Sequence, residues 1–215
     1  MLKVEGLYKS YGKDTILEDF NLQADRGEII GLVGENGAGK STLLRIIATL
    51  NRPTSGEVYI DERSYRKNYK KIRQKIGYVP QEIELWEELS VMENMRFFEA
   101  LSSVSRSVAE LKKMLSDLHL EKYNTKVNRL SGGMKRKLNL AISLIHAPEL
   151  LLLDEPTAGI DLKSRIEIGK FLKALSDKGT LIIYTSHDMT EIKELCDRTI
   201  FIGKDPFYKK ILTDD

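Results

Sequence analysis

GENGAGKST, residues 34–42, follows the apolar run EIIGLV at 28–33 and leads into TLLRIIATL at 42–50. A short apolar run before glycines reads as a strand, and apolar residues at helical spacing after them read as a helix. Gly34, Glu35, Asn36, Gly37, Ala38, Gly39, Lys40 and Ser41 thus meet the phosphate-loop pattern in the context it needs, and Thr42, next in the run, is counted with them as nucleotide-binding. Glycines let backbone N–H groups turn inward around a phosphate, and the following helix adds the partial positive charge of its N-terminus. Lys40 is expected to reach the β and γ phosphates, and the Ser41 hydroxyl to coordinate Mg2+. This segment predicts binding of a nucleoside triphosphate.

Outward from it, LLLLDEP at 150–156 is an apolar strand that ends in two carboxylates. In a parallel α/β sheet ligands sit at the strand C-termini, so Asp154 and Glu155 are expected beside the phosphates. Successive residues leaving a strand point in different directions. Asp154 is therefore the metal ligand and Glu155 the general-base candidate that orients and helps deprotonate an attacking water. A second polar strand end follows in TLIIYTSHD at 180–188, where His187 emerges after Leu181–Thr185. His187 is placed to donate a hydrogen bond to a γ-phosphate oxygen or to that water. His119 and His146, within or at the ends of helices, read as structural.

LSGGM at 130–134 puts Ser131, Gly132 and Gly133 at the start of the amphipathic stretch MKRKLNLAISLI. Free N–H groups and the helix dipole make this a second anion site; taken alone it also reads as a plain serine cap. Two such helix starts separated by a helical insertion are hard to bring onto one nucleotide. A symmetric dimer removes the difficulty, because each chain offers its second cradle to the nucleotide held by its partner.

The rest of the sequence organises around these motifs. EVYI at 57–60 reads as a strand, residues 83–146 read almost wholly helical, and strand–helix alternation resumes after Pro148. Continuous apolar strands joined by helices imply a parallel sheet covered on both faces, so the fold is α/β with a helical insertion. The 215 residues are the size of one large domain. A charged fraction of 31% against 41% hydrophobic is ordinary for a soluble globular protein. No apolar run is long enough to span a bilayer, and the N-terminus MLKVEGLYKSYGK has no signal-like stretch, so a cytoplasmic location is expected. A net charge of +2 argues against a nucleic-acid partner; the basic run RSYRKNYKKIRQK at 63–75 reads as a solvated surface. The single cysteine, Cys196, excludes an internal disulfide and reads as a small, partly buried apolar side chain.

In this order the motifs resemble those of the ATP-binding cassette (ABC) family, specifically a transporter's nucleotide-binding subunit, along almost the whole chain. Tyr11 stands where the family places an aromatic that stacks on adenine. Gln81, in IGYVPQ, matches the glutamine that links the metal site to the helical subdomain, and so joins the catalytic and metal-binding sets. LSGGM matches the signature motif, AGID at 158–161 the loop across the dimer interface, and His187 the switch histidine. One departure is Met134, where the signature usually ends in glutamine. Another is the C-terminus soon after the last strand region, the pattern expected of a minimal cassette without an appended regulatory domain.

The resemblance implies a phosphate-loop NTPase core of mainly parallel sheet with helices on both faces and a small antiparallel β part near the N-terminus. It implies one domain over 1–215, with a core at 1–82 and 147–215 and a helical subdomain at 83–146. It further implies Mg-ATP as ligand and a homodimer, or pseudo-symmetric dimer, that closes on two ATP molecules. A separate permease would dock about EIELWEELSVMENMRFF at 82–98, with Trp86, Phe97 and Phe98 as candidate contacts, although such residues also pack core faces. The segment after Gln81 is most similar to bacterial exporter-type subunits, so the chain is expected to lie peripherally on the cytoplasmic face of a membrane. Two alternatives stay open: a soluble ABC-type regulatory or remodelling ATPase, and a phosphate-loop small-molecule kinase, which leaves LSGGM without a role.

Overall fold

The computed structural model describes residues 1–203, 205, 207 and 208. The chain begins with two long strands, β1 (Leu2–Tyr11) and β2 (Asp14–Ala24), then β3 (Ile29–Val33), α1 (Lys40–Ile47), β4 (Ser55–Ile60) and β5 (Arg63–Ser64). α2 (Tyr65–Arg73) and β6 (Ile76–Val79) lead to the helices α3 (Val91–Leu101), α4 (Val108–Asp117) and α5 (Gly132–Ser143). Alternation then resumes with β7 (Leu150–Asp154), α6 (Leu162–Ser176), β8 (Leu181–Thr185), α7 (Met189–Leu195) and β9 (Arg198–Phe201).

Two sheets form: an antiparallel one in the order β2-β1-β4-β5 and a parallel one in the order β6-β7-β8-β3-β9. The three central strands β3, β7 and β8 are buried at every position, as their unbroken apolar sequences require of strands covered on both faces. Alternate residues of these strands sort into two cores. Ile30, Leu32, Leu150, Leu152, Leu181 and Ile183 pack with α1 and the antiparallel sheet. Ile29, Val33, Leu151, Leu153, Ile182 and Tyr184 pack on the opposite face with α3 to α7. The helices of the insertion thus share one core with the sheet, through Val91, Met95, Leu111, Leu115 and Leu138.

Ser90 and Ser107 cap α3 and α4, each paired with a glutamate three residues on whose carboxylate accepts the backbone N–H of the cap serine. Phe98 packs against the core, while Trp86 and Phe97 stay exposed and meet edge-on at 5.6 Å. The basic run at 63–75 forms β5 and α2, and its charges are partly answered by Arg66–Glu57 and by Lys75 with Asp61 and Glu149. His146 Nε2 lies 2.9 Å from the Ile76 carbonyl oxygen, a structural contact. Cys196 is half-buried, and burial pushes its thiol up to about 12. Among the described residues no helix is long and apolar enough to cross a membrane.

Candidate functional site

Strand order decides which loops meet. β3 lies beside β8, and β8 beside β7, so the turns leaving their C-terminal ends sit next to each other. Register sharpens this: Thr185 pairs with Leu32 on one side and with Asp154 on the other.

The phosphate loop leaves β3 and enters α1, whose N-cap is Gly39. Its first glycine is fixed by a close approach. A β-carbon at Gly34 would stand 1.9 Å from the Ile202 carbonyl oxygen beyond β9. Lys40 is buried, and its ammonium donates to the carbonyl oxygens of Gly34 at 2.7 Å and Glu35 at 3.1 Å. Burial lowers the Lys40 pKa, opposed by the carboxylates of Glu155, Asp154 and Glu35. Thus Lys40 sits inside a ring of acceptors at the mouth of the loop.

Asp154 and Glu155 are sorted to different partners. The Ser41 and Thr185 hydroxyls each donate to Asp154 Oδ1 at 3.1 Å, and the Asp154 carboxylate is buried. A carboxylate and a serine hydroxyl converging at this distance make an all-oxygen donor pair of the kind Mg2+ takes, so these residues fit the ion. Glu155 turns the other way. Gln81 Nε2 donates to its Oε2 at 3.2 Å, and His187 Nε2 meets its Oε1 at 2.5 Å. The Glu155 backbone is left-handed, with φ of 49°, which for a non-glycine residue costs roughly 1–3 kcal/mol and persists only where the surroundings fix it. Here the Thr185 hydroxyl accepts the Glu155 N–H at 2.9 Å.

The structure therefore gathers Lys40, Ser41, Gln81, Asp154, Glu155 and His187 around one point. Tyr11 and Ser131 to Gly133 lie apart from that set. The exposed Tyr11 ring has the Lys9 ammonium 4.5 Å from its centroid, and Asn51 Nδ2 donates to its hydroxyl at 3.2 Å. Ser131 caps α5 through the Met134 N–H, and the two glycines form the first turn of that helix. Ser131 and Gly132 are exposed, whereas Gly133 is buried against Asp161 and Ser164 at the start of α6. The Met134 side chain packs partly into the helix-side core.

Sequence reasoning missed Thr185, Ser186, Glu191 and Arg136. Thr185 had a signal, a polar residue closing an apolar strand. Arg136, buried two residues beyond Met134, donates from Nη1 to the Pro80 carbonyl oxygen at 3.3 Å, just before Gln81. Burial lowers its pKa while Glu155 raises it. In sequence Arg136 is indistinguishable from its lysine neighbours.

Comparisons with known proteins show what the chain is similar to. The family model for the ABC transporter matches residues 17–158. The linearmycin resistance ATP-binding protein LnrL of Bacillus subtilis (strain 168) is 41% identical over 92% of this chain and 65% of its own length. The Nod factor export ATP-binding protein I of Cupriavidus pinatubonensis is 38% identical over 92% of this chain and 62% of its own. The chain thus spans somewhat under two thirds of the length of these two relatives. The lantibiotic transport ATP-binding protein SrtF of Streptococcus pyogenes is 37% identical over 94% of this chain and 86% of its own. Among solved structures, the dimeric post-hydrolysis state of the ATP-binding cassette MJ0796 bound to ADP and Pi superposes with a TM-score of 0.83. It is 32% identical over 94% of both chains.

Proposed function

Since the chain belongs to the ABC transporter family, we propose that it is the ATP-binding and ATP-hydrolysing subunit of an exporter, acting as a homodimer on a separate permease at the cytoplasmic face of a membrane. The observation that carries this is the division of labour at the end of β7: Asp154 with Ser41 and Thr185, Glu155 with Gln81 and His187. One carboxylate is thereby committed to holding charge beside the phosphate loop, and its neighbour to water.

In this reading Lys40 and the loop amides from Gly34 to Ser41 bind the phosphates, with Tyr11 against the adenine. Ser41 and Asp154 would hold Mg2+, joined by the Gln81 amide oxygen, which the contact to Glu155 through Nε2 does not use. The ion, when bound, neutralises charge developing on the transferred phosphoryl group. Glu155 takes the proton of the attacking water, and His187, donating from Nε2, holds the carboxylate in line. Thr42, in the first turn of α1, adds to the phosphate-binding set. Ser131, Gly132 and Gly133 of a second copy would complete the site from across the dimer, a reading supported by the exposure of Ser131 and Gly132 at a helix N-terminus and by the dimeric state reported for MJ0796. ATP then favours the closed dimer because it touches both chains only there.

The permease is expected on the helix side. Trp86 and Phe97 form an exposed edge-to-face pair, and Leu101 on the same helix as Phe97 is exposed as well. Beside them runs a groove of about 930 Å3 in which Leu50, Phe98, Leu101 and Ile142 lie among polar residues such as Arg73 and Glu84. An exposed apolar surface of this kind favours a docked partner over a free-standing regulatory ATPase. Export is supported by the relative named for it, the Nod factor export ATP-binding protein I.

Glu155→Gln tests the assignment. ATP binding should survive, hydrolysis should drop by at least about 100-fold, and ATP should now drive stable dimerisation. Normal turnover in that variant would sink the role given to Glu155. Release of free phosphate rather than a phosphorylated acceptor separates this reading from a kinase, and a membrane chain co-purifying with the wild type tests the permease.

A further inference from the structure

Behind the two loops that carry Glu155 and His187 lies a buried polar network in which none of those two side chains takes part. Glu191, the third residue of α7, reaches both loops with one oxygen. Its Oε2 accepts from the Thr157 hydroxyl at 2.9 Å and from the Ser186 hydroxyl at 2.7 Å. Thr157 follows Glu155 by two residues, and Ser186 immediately precedes His187. Both hydroxyl residues are buried, 3% and 8% exposed.

The proton inventory fixes the direction of the chain. Thr157 has one hydroxyl proton, and a carboxylate can only accept, so that proton goes to Glu191. The Tyr184 hydroxyl, 2.9 Å from Thr157 Oγ1, must then be the donor in that pair. Tyr184 is wholly buried, and burial holds its phenol far above the ordinary range, so it keeps the proton it donates. Ser186 passes its own proton to Glu191 and accepts the Asp188 N–H at 3.1 Å. α7 itself is anchored, with Ile192 fully buried in the helix-side core and Asp188 held by Arg165 of α6 at 2.6 Å.

We propose that Glu191 is a positioning residue for hydrolysis: by binding Thr157 and Ser186 together it sets the separation of Glu155 and His187. The strained backbone at Glu155 supports a need for such a clamp, since the left-handed turn is held from the β8 side by Thr185 and from the α7 side through Thr157. The inference rests on the ATPase reading for its consequence and on geometry alone for its cause.

Glu191→Ala and Glu191→Gln, in the whole chain, test it through ATP turnover and amide hydrogen exchange. Glu191→Ala should lower kcat by about 10- to 100-fold, the scale of a small misplacement of reacting groups, with KM for ATP within about twofold. Exchange at 155–159 and 186–188 should rise together while the phosphate loop at 34–42 is unchanged. Glu191→Gln, whose amide oxygen still accepts from both hydroxyls, should recover most of the turnover. In a His187→Ala background, Glu191→Ala should add little further loss, because the separation it sets no longer matters. A loss that multiplies fully with His187→Ala, or one that falls on ATP affinity and melting temperature alone, would overturn the proposal. The exchange measurement needs no turnover, so the two readings fail separately. A wild-type chain without ATPase activity sinks the proposed function, whereas unchanged exchange at both loops in Glu191→Ala sinks the clamp.

Discussion

Gly133 packs so tightly against Ser164 that a β-carbon on it would stand 2.3 Å from the Ser164 hydroxyl oxygen. That hydroxyl is itself committed, donating to Asp161 at 2.7 Å in the cap of α6. At the neighbouring Gly132 the nearest atom would be the Gly159 carbonyl oxygen at 3.9 Å, an ordinary contact. The two glycines of the signature turn therefore have different reasons to be glycine. Gly133→Ala should destabilise the fold by about 1–3 kcal/mol through overpacking. Gly132→Ala should leave the denaturant midpoint nearly unchanged or slightly raised, since alanine favours a helix by about 1 kcal/mol over glycine. Urea unfolding of both variants decides it, and equal midpoints would refute the distinction.

Thr185 is wholly buried, accepts the Glu155 N–H and donates to Asp154. Thr185→Val keeps the shape but leaves that N–H without its partner, a cost of about 1–3 kcal/mol, and takes from Asp154 Oδ1 one of the two hydroxyls that donate to it. ATP turnover should fall as well, because both carboxylates lose their reference to β8. Thr185→Ser retains the hydroxyl and should keep most of the activity. A valine variant as active as wild type would show that the β7–β8 register alone holds the pair.

Arg26, Asp61, Lys75 and Glu149 form an ion-pair network that links the end of β4 to the starts of β6 and β7, and so joins the two sheets. Burial alone would raise the Asp61 and Glu149 carboxyls. The hydrogen bonds and charge of Lys75 and Arg26 outweigh it, so both are lowered from ordinary values of 3.8 and 4.5. A lowered carboxyl stabilises the fold above its unfolded pKa, and that contribution disappears as pH falls through the folded value. The double variant Asp61→Asn, Glu149→Gln should therefore be less stable than wild type by on the order of 1 kcal/mol at about pH 6, where partial exposure screens the pairs. Near about pH 3, below both ordinary values, the gap should narrow. An equal gap at both pH values, measured by urea unfolding, would show that these charges are not what joins the sheets.

Much of the site was legible because its parts are local. Lys40 and Ser41 are set by a contiguous glycine pattern, and Asp154 by an unbroken run of leucines whose end it marks. The long strands β1 and β2 were harder to read individually: their pairing shifts register at several points, so side chains do not keep a clean two-residue alternation. The helical insertion was legible as helices, yet its membership in the sheet's second core was not. Which face of β7 a helix covers depends on residues far from it in sequence.

By itself the sequence determined that one segment cradles phosphate, that two carboxylates close an apolar strand and that a histidine closes another, since glycine content, apolar runs and helix caps act over a few residues. Only the tertiary structure decided how these ends divide their work. The strand order β7-β8-β3 sets Thr185 between Leu32 and Asp154, turns Glu155 toward Gln81 and His187, and lets Glu191 reach two loops at once. The reason is physical: a hydrogen bond acts over about 3 Å in space and carries no signal along the chain. Residues 30 apart or more become partners only when parallel strands, joined by crossover helices, bring their ends to one edge.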